Sequence, residues 1–368
     1  MKQIFQYHQL QKEILTPADF EFYAQKNLDP ALYAYLSGGG GQQQTLKHNR
    51  KRLDQLQLQP RVLRKLDHGH SRYTLLGHEL SAPILLAPVA HQGLVDEQAE
   101  LASAQAAEAI GQGLVLSTLS TKRLESVAEA TSGFKSFQLY TQPDRSVTYD
   151  LIDRACGAGF ASLMVTVDTP LQSSSLEARR LGFHLESRVE AANLAEYAHP
   201  STIQVTEGES YIFQGLMAQA PSWEDIRDII EYSPIPVWIK GVLSVDDALM
   251  LKSVGAQGLV VSNHGGRALD GVPSPLDVLP SMRRALGADF LLMADSGVRS
   301  GYDIFKFLAA GADAVLIGRL QVYALATAGA LGVAHLLKLL SEELQLCMAL
   351  TGCAELDEIE RHCLYESK

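Results

Sequence analysis

The chain is short of cysteine, of positive charge and of long apolar runs, and each shortage excludes something. Its 368 residues hold four cysteines, Cys156, Cys347, Cys353 and Cys363. No two form a Cys-x-x-Cys pair, so no zinc or other metal site is expected, and nothing suggests a disulfide framework. A reducing cytoplasm fits that pattern. Cys347 lies in an apolar helical run and reads as a buried free thiol. Lysine and arginine number 31 against 42 acidic residues, a formal net charge of −11. That balance argues against nucleic acid as a partner, which would want a basic face. It leaves small anions open, because one local arginine can override a global charge. The N-terminal "MKQIFQYHQLQKEIL" lacks the apolar core of a signal peptide, and no apolar run approaches a membrane span. No linker and no low-complexity tract divides residues 1–368, so a single domain is expected.

What the chain does have is eight short apolar runs that end in polar residues or glycine. They are "PILLAP" at 83–88, "LVLS" at 114–117, "SFQLY" at 136–140, "LMVTVD" at 163–168, "PVWIKG" at 236–241, "GLVVSN" at 258–263, "FLLMAD" at 290–295 and "AVLIGR" at 314–319. Near-continuous apolar runs mark strands buried on both faces, hence a parallel sheet. Helix-length amphipathic stretches separate them, such as "DEQAELASAQAAEAI", "SVDDALMLKSVGA" and "GYDIFKFLAAGA". Eight strands alternating with helices predict a (β/α)₈ TIM barrel. An open doubly wound sheet is disfavoured, since no Gly-x-Gly-x-x-Gly follows the first strand. Residues 1 to about 80 form an N-terminal helical extension, with a flexible "SGGGG" after Tyr33 and Tyr35. Residues 171–222 form a long lid-like insertion after strand four, carrying an aromatic patch at "SYIFQ". "AHLLKLLSEELQLCMAL" is an amphipathic helix expected to pack on the barrel.

In such a barrel the site lies at the C-terminal ends of the strands, and the polar residues fall there. Ser117 ends the second run, Gln138 and Tyr140 the third, and Thr166 and Asp168 the fourth. Lys240 ends the fifth, His264 follows the sixth, Asp295 the seventh and Arg319 the eighth. "DSGVRSG" sets Asp295, Gly297 and Arg299 on a turn before a helix, and "IGRL" sets Gly318 and Arg319 before the next. Either could be a plain strand-to-helix turn. Together, at the usual phosphate position of such barrels, they read as a phosphate cradle. Lys240 among Trp238 and Ile239 needs an anionic partner, because a buried ammonium is costly. It suits a Schiff base or the stabilisation of negative charge on a cofactor. In "VVSNHGGRALDG", His264 is a candidate base, Asp168 its orienting carboxylate and Arg267 a carboxylate clamp. Residues alone therefore describe a cofactor enzyme acting on a small acid, without naming the cofactor.

"SNHGGRALDG", with "APVAHQGL", "FQLY", "TVDTP", "SWEDI", "IKG", "DSGVRSG" and "IGR", resembles the FMN-dependent α-hydroxy-acid oxidase and dehydrogenase family over nearly the whole chain. The resemblance implies FMN as cofactor, held by Pro88, Val89, Ala90, Ser117, Gln138, Thr166 and Ser262 around the ring. It places Lys240 at the flavin N1/O2 edge and gives the phosphate to Asp295, Gly297, Arg299, Gly318 and Arg319. It assigns Tyr33, Tyr140, Arg267 and Leu119 to the substrate, and His264, Asp168 and Tyr140 to catalysis. The implied activity is oxidation of an (S)-2-hydroxy acid, with oxygen or another acceptor reoxidising the flavin, in a tetramer. Oxidase and dehydrogenase stay open, as do hydride and carbanion routes. Three positions depart from the family pattern. Ser175 stands where the family has an arginine for the substrate carboxylate, Leu119 replaces a larger aromatic, and Ala268 replaces a glutamine. A roomier pocket with one carboxylate clamp is the expectation.

Overall fold

Side chains of a strand alternate between its faces, and here the two faces of each apolar run belong to different cores. Residues 7–170, 175–185, 189–198 and 203–365 are described in the computed structural model of the chain. The chain opens with helices α1 (Tyr7–Glu13), α2 (Asp19–Asn27), α3 (Pro30–Ser37) and α4 (Gln44–Gln55). A short strand β1 (Gln57–Leu58) and a hairpin, β2 (Tyr73–Leu75) and β3 (His78–Leu80), lead to the first barrel strand. The barrel then alternates β4 (Ile84–Leu86), α5 (Glu100–Ala109), β5 (Gly113–Ser117), α6 (Leu124–Glu129), β6 (Lys135–Leu139), α7 (Arg145–Gly157) and β7 (Ser162–Thr166). After the insertion, with α8 (Leu176–Arg180), come α9 (Trp223–Tyr232), β8 (Val237–Val242), α10 (Val245–Ser253), β9 (Gly258–Val261) and α11 (Pro275–Leu286). β10 (Leu291–Ala294), α12 (Gly301–Ala309), β11 (Ala314–Ile317), α13 (Arg319–Thr351) and a short β12 (Leu364–Tyr365) complete the chain. Strands β4 to β11 pair in parallel in chain order, and β11 closes on β4 through Val315–Ile84 and Ile317–Leu86. All eight expected strands are present.

The alternation explains the polar strand ends. Leu85, Val115, Met164, Trp238, Val260, Met293 and Leu316 fill the barrel interior, with Leu75 and Leu80 of the hairpin plugging its floor. Their strand neighbours, such as Ile84, Leu114, Leu163, Ile239, Leu259, Leu292 and Ile317, pack outward on the helices. Two residues beyond the inward Val115, Met164, Trp238, Val260 and Met293 stand Ser117, Thr166, Lys240, Ser262 and Asp295. The same period that buries the core therefore delivers a polar residue to the mouth on these five strands, and Ala87 and Gly318 beyond the inward Leu85 and Leu316. A fully buried Leu or Val adds about 1.5–3 kcal/mol, so the layer beneath can tolerate these costlier groups above it. Helix starts carry explicit stops and caps. Ser222 and Asp225 form a capping box on α9, and Ser274 and Asp277 form one on α11 behind Pro275.

Several expectations change. The extension is helical only to Gln55, and its remainder is strand β1 and the floor hairpin. "SGGGG" is no flexible tether. A Cβ on Gly39 would stand 2.7 Å from the Gly266 carbonyl oxygen, and one on Gly40 would stand 2.5 Å from that of Ala268. The two glycine-rich segments thus pack backbone to backbone. One apolar run, Arg319–Thr351, is long and apolar enough to cross a bilayer, although none was expected; 72% of its most apolar stretch is buried, against α5, α12 and α2. The run also breaks at Ala328 and Gly329. Of the insertion, residues 171–174, 186–188 and 199–202 lie outside the described residues. Its "SYIFQ" patch is exposed at Tyr211, Ile212 and Phe213.

Candidate active site

At the C-terminal mouth the strand ends surround a cavity of about 290 Å³. Pro88, Val89, Ala90, Ser117, Leu119, Tyr140, Lys240, His264 and Arg267 line it, together with Asp295, Gly297, Arg299, Gly318 and Arg319. Fourteen of the sequence candidates therefore share one cavity. Gln138, Thr166, Ser262 and Asp168 stand just behind that wall. Gln138 Oε1 accepts from Ser117 Oγ at 3.1 Å, and Ser262 Oγ accepts from Lys240 Nζ at 3.0 Å.

His264 owes its position to its turn. It takes φ +57, and its N–H donates to Ser262 Oγ at 3.0 Å. Its Nδ1 lies 2.9 Å from Asp168 Oδ1, which leaves Nε2 for a substrate. Burial opposes the Asp168 charge, yet His264 and then Lys240 outweigh it and hold the carboxyl below the usual range. Gly241 makes this possible: a Cβ there would stand 2.4 Å from the Asp168 side chain. Asn263, one residue before His264, exchanges two side-chain hydrogen bonds with Asn49 of α4, at 2.8 and 2.7 Å. The N-terminal extension thereby clasps the His264 turn.

Lys240 has the anionic partner its burial demands. Its Nζ lies 3.2 Å from Asp295 Oδ2, and both side chains are at most 10% exposed. Burial lowers its proton affinity, but Asp295 and then Asp168 overcome that and hold the ammonium above the usual lysine range. Asp295 thus serves Lys240 rather than a phosphate, since a carboxylate repels that anion. This corrects its place in the cradle. Ser296 Oγ donates to Asp295 Oδ1 at 2.7 Å and accepts from Gly265 N–H at 3.0 Å, joining this turn to the histidine turn.

The substrate side changes at one residue. Tyr33, expected there, is absent from the cavity wall and stacks on Tyr323, with ring centroids 6.0 Å apart. Tyr35 takes the place, stacked on Phe183 of the insertion at 4.3 Å and facing the Arg267 guanidinium at 5.2 Å. Arg267 Nη1 donates to the carbonyls of Tyr35 and Gly38 at 2.8 and 3.1 Å, so its other N–H groups remain for a ligand. Tyr140 is half-buried beside Thr169 on the cavity wall, and the burial of its phenol raises its proton affinity. Ser175 does not reach the cavity wall. It is 3% exposed, caps α8 through Ala178 N–H, and presses on Gly38, where a Cβ would meet its Oγ at 2.3 Å.

The remaining cations test whether an anionic flavin phosphate fits. Arg319 spends its N–H groups on the carbonyls of Leu36, Gly265 and Gly38 and has no carboxylate partner among the described residues. Burial, then Arg267 and Arg299, push it down to about 9. A guanidinium so crowded by like charge suits an anionic group. Arg299 is held by Glu21 of α2 at 2.8 and 3.3 Å. Arg50 of α4 grips Asp303 with two N–H groups and the Gly297 carbonyl with one, fixing the turn from outside. Nearby, Gln138 Nε2 and Thr166 Oγ1 are buried without a partner among the described residues. Orphaned polar atoms of this kind call for a polar heterocycle edge, and with Arg319 they fit FMN. Sequence reading missed Tyr35 as the pocket residue, and also Glu21, Arg50, Asp303 and Glu100. Glu100 is fully buried and accepts from the N–H groups of Gln92, Thr121 and Lys122, tying the loops after β4 and β5 together.

Comparison with known proteins agrees with this geometry. The profile of the FMN-dependent dehydrogenase family matches residues 24–366. The chain is 50% identical over 349 residues to an L-lactate oxidase of Alicycliphilus denitrificans, covering 95% of this chain and 96% of that one. A solved mandelate oxidase mutant with (S)-mandelic acid superposes with a TM-score of 0.86 at 35% identity, over 95% of this chain and 97% of that one. Another, carrying a C4a-OH-FMN adduct, superposes with a TM-score of 0.85 at 35% identity, over 94% and 98%.

Proposed function

Because the chain belongs to the FMN-dependent dehydrogenase family, we propose that it oxidises an L-2-hydroxy acid to the 2-oxo acid, with oxygen as the final acceptor. The observation that carries this reading is the His264–Asp168 pair, 2.9 Å apart, sharing a cavity with Arg267 and Lys240. Bound FMN supplies the two-electron acceptor. His264, its Nδ1 committed to Asp168, takes the substrate's proton at Nε2. Arg267, anchored by Nη1 to the backbone, forks onto the carboxylate. Tyr35 and Tyr140 flank that end, and Lys240 sets a positive charge where reduction builds negative charge.

Leu36, Leu119 and Val322 give the cavity apolar wall, and Ser175 is turned away as a helix cap. The proposed substrate therefore has an apolar side chain longer than that of glycolate. Each buried methylene adds about 0.8 kcal/mol. Roughly two to four of them offset one charge-assisted hydrogen bond of about 1.5–3 kcal/mol. The test is flavin bleaching under anaerobic conditions by glycolate, lactate, 2-hydroxyoctanoate and mandelate, followed by oxygen uptake. No bleaching by any of them refutes the activity. A preference for glycolate refutes the roomy pocket, and bleaching without oxygen uptake favours a dehydrogenase.

A further inference from the structure

Beyond the barrel mouth, the segment after α13 gathers a second set of reactive groups. Cys353 and Cys363 lie with their sulfur atoms 3.6 Å apart. Both face the carbonyl of Glu358, at 3.4 and 3.8 Å. The sulfur of Cys363 also lies 3.6 Å from His362 Nε2, and His362 Nδ1 lies 3.4 Å from Glu360 Oε2. Carboxylate, imidazole and thiol thus stand in sequence, the order that activates a cysteine by proton removal. The two thiols themselves are buried, at 4% and 1%, whereas the His362 side chain is 58% exposed. The imidazole and its carboxylate are therefore the parts of the cluster that meet solvent. We propose that Cys363 and Cys353 form a peroxide-oxidised dithiol pair, with Cys363 attacking and Cys353 resolving.

The chemistry balances with hydrogen peroxide as oxidant. His362 takes the Cys363 proton, and the thiolate attacks one peroxide oxygen. The O–O bond breaks, hydroxide leaves as water with that proton, and Cys363 becomes a sulfenic acid. Cys353 then attacks this sulfur. The S–OH bond breaks, the S–S bond forms, and a second water leaves with the Cys353 proton. Two thiols lose two electrons and one peroxide gains them. The roles follow from position. Cys363 has the imidazole, while burial and its thiol neighbour push Cys353 well up, so it is a poor first nucleophile. Bond formation brings the sulfurs from 3.6 Å to about 2.05 Å. The shift falls on two short 3₁₀ turns, Leu356–Glu358 and Arg361–Cys363, rather than on a barrel element. The bond also pins a joint of the fold, because the Cys363 carbonyl accepts from Gln59 N–H at 2.8 Å beside the β1–β12 pair.

The test uses the full-length, FMN-loaded protein and added peroxide, so it is independent of the acceptor that reoxidises the flavin. Stoichiometric peroxide should lower the intact mass by two hydrogens. Denatured thiols should fall from four to two, one cross-linked peptide should join Cys353 to Cys363, and dithiothreitol should reverse all three. In Cys353→Ser, dimedone should label Cys363; in Cys363→Ser, neither label nor cross-link should form. His362→Ala should slow oxidation at pH 7 at least tenfold while thiol count and melting temperature hold. An unchanged mass, a bond through Cys347, or bonds only between molecules overturns the pair. Equal rates in His362→Ala overturn the activation.

Discussion

Arg267→Lys isolates what the guanidinium does that a charge alone cannot. The variant keeps the positive charge but has a single point of contact. In the wild type, Nη1 is spent on the carbonyls of Tyr35 and Gly38, and the ring of Tyr35 faces the guanidinium at 5.2 Å. In the proposed reading, the remaining N–H groups would hold the substrate carboxylate as a fork. A lysine can serve the carbonyls or the carboxylate, but not both in that geometry. One charge-assisted hydrogen bond lost costs about 1.5–3 kcal/mol, and the weakened contact with Tyr35 adds about 0.5–1 kcal/mol. The sum is about 2–4 kcal/mol, roughly 30- to 1,000-fold at about 1.4 kcal/mol per decade. No second cation shares the work at position 175, because Ser175 caps α8 instead. The loss should appear in kcat/KM for the best 2-hydroxy acid, and equally in the Kd of its 2-oxo product, read from the flavin spectrum. FMN content should not change. A less than threefold effect on both constants would show that the carboxylate binds elsewhere.

Three further outcomes follow from the same geometry. His264→Ala should retain FMN and lose flavin reduction by roughly 10²–10⁴-fold, the range for a positioned base; rapid mixing at a near wild-type rate would remove it from that role. Asp295→Asn should raise the flavin midpoint potential, since the charge of Lys240 loses its buried partner at 3.2 Å, and Lys240→Met should lower it; shifts of the same sign would refute the pairing. Asp168 holds its carboxyl below the usual range, so its contribution to stability is present above pH about 4 and fades as the pH falls through the lower folded value. Asp168→Asn should therefore lose more denaturant resistance at pH 7 than at pH 3, and an equal loss at both would contradict this sign.

The barrel was legible because its strands are buried on both faces and read as unbroken apolar runs. The polar mouth was legible for the same reason, as one period-two step beyond five of the inward side chains. Tyr33 and Tyr35 show where this stops. They stand two apart on α3, so they point roughly 200° apart, and only the docking of that helix decides which enters the cavity. Arg50, Glu21 and Asp303 were illegible on other grounds. Arg299 meets Glu21 across 278 positions, and Arg50 meets Asp303 across 253. No local pattern announces such a pair. "SGGGG" looked loose because glycine is permissive; here it is small enough for two backbones to touch.

The pairing of residues 57–58 with 364–365 has a consequence for synthesis. On the ribosome, the N-terminal extension emerges before the barrel, yet α2 packs against α13 and α4 clasps a turn at Asn263. β4 likewise waits for β11, more than two hundred positions later, before its open edge is covered. At about 5–20 residues per second, the nascent chain carries β4 with one edge unpaired for roughly ten seconds or more. The cavity at the barrel mouth cannot close before Arg319, which lines it, is translated. Until β11 is made, the barrel is an open sheet with two unpaired apolar edges, the arrangement that invites strand-edge association.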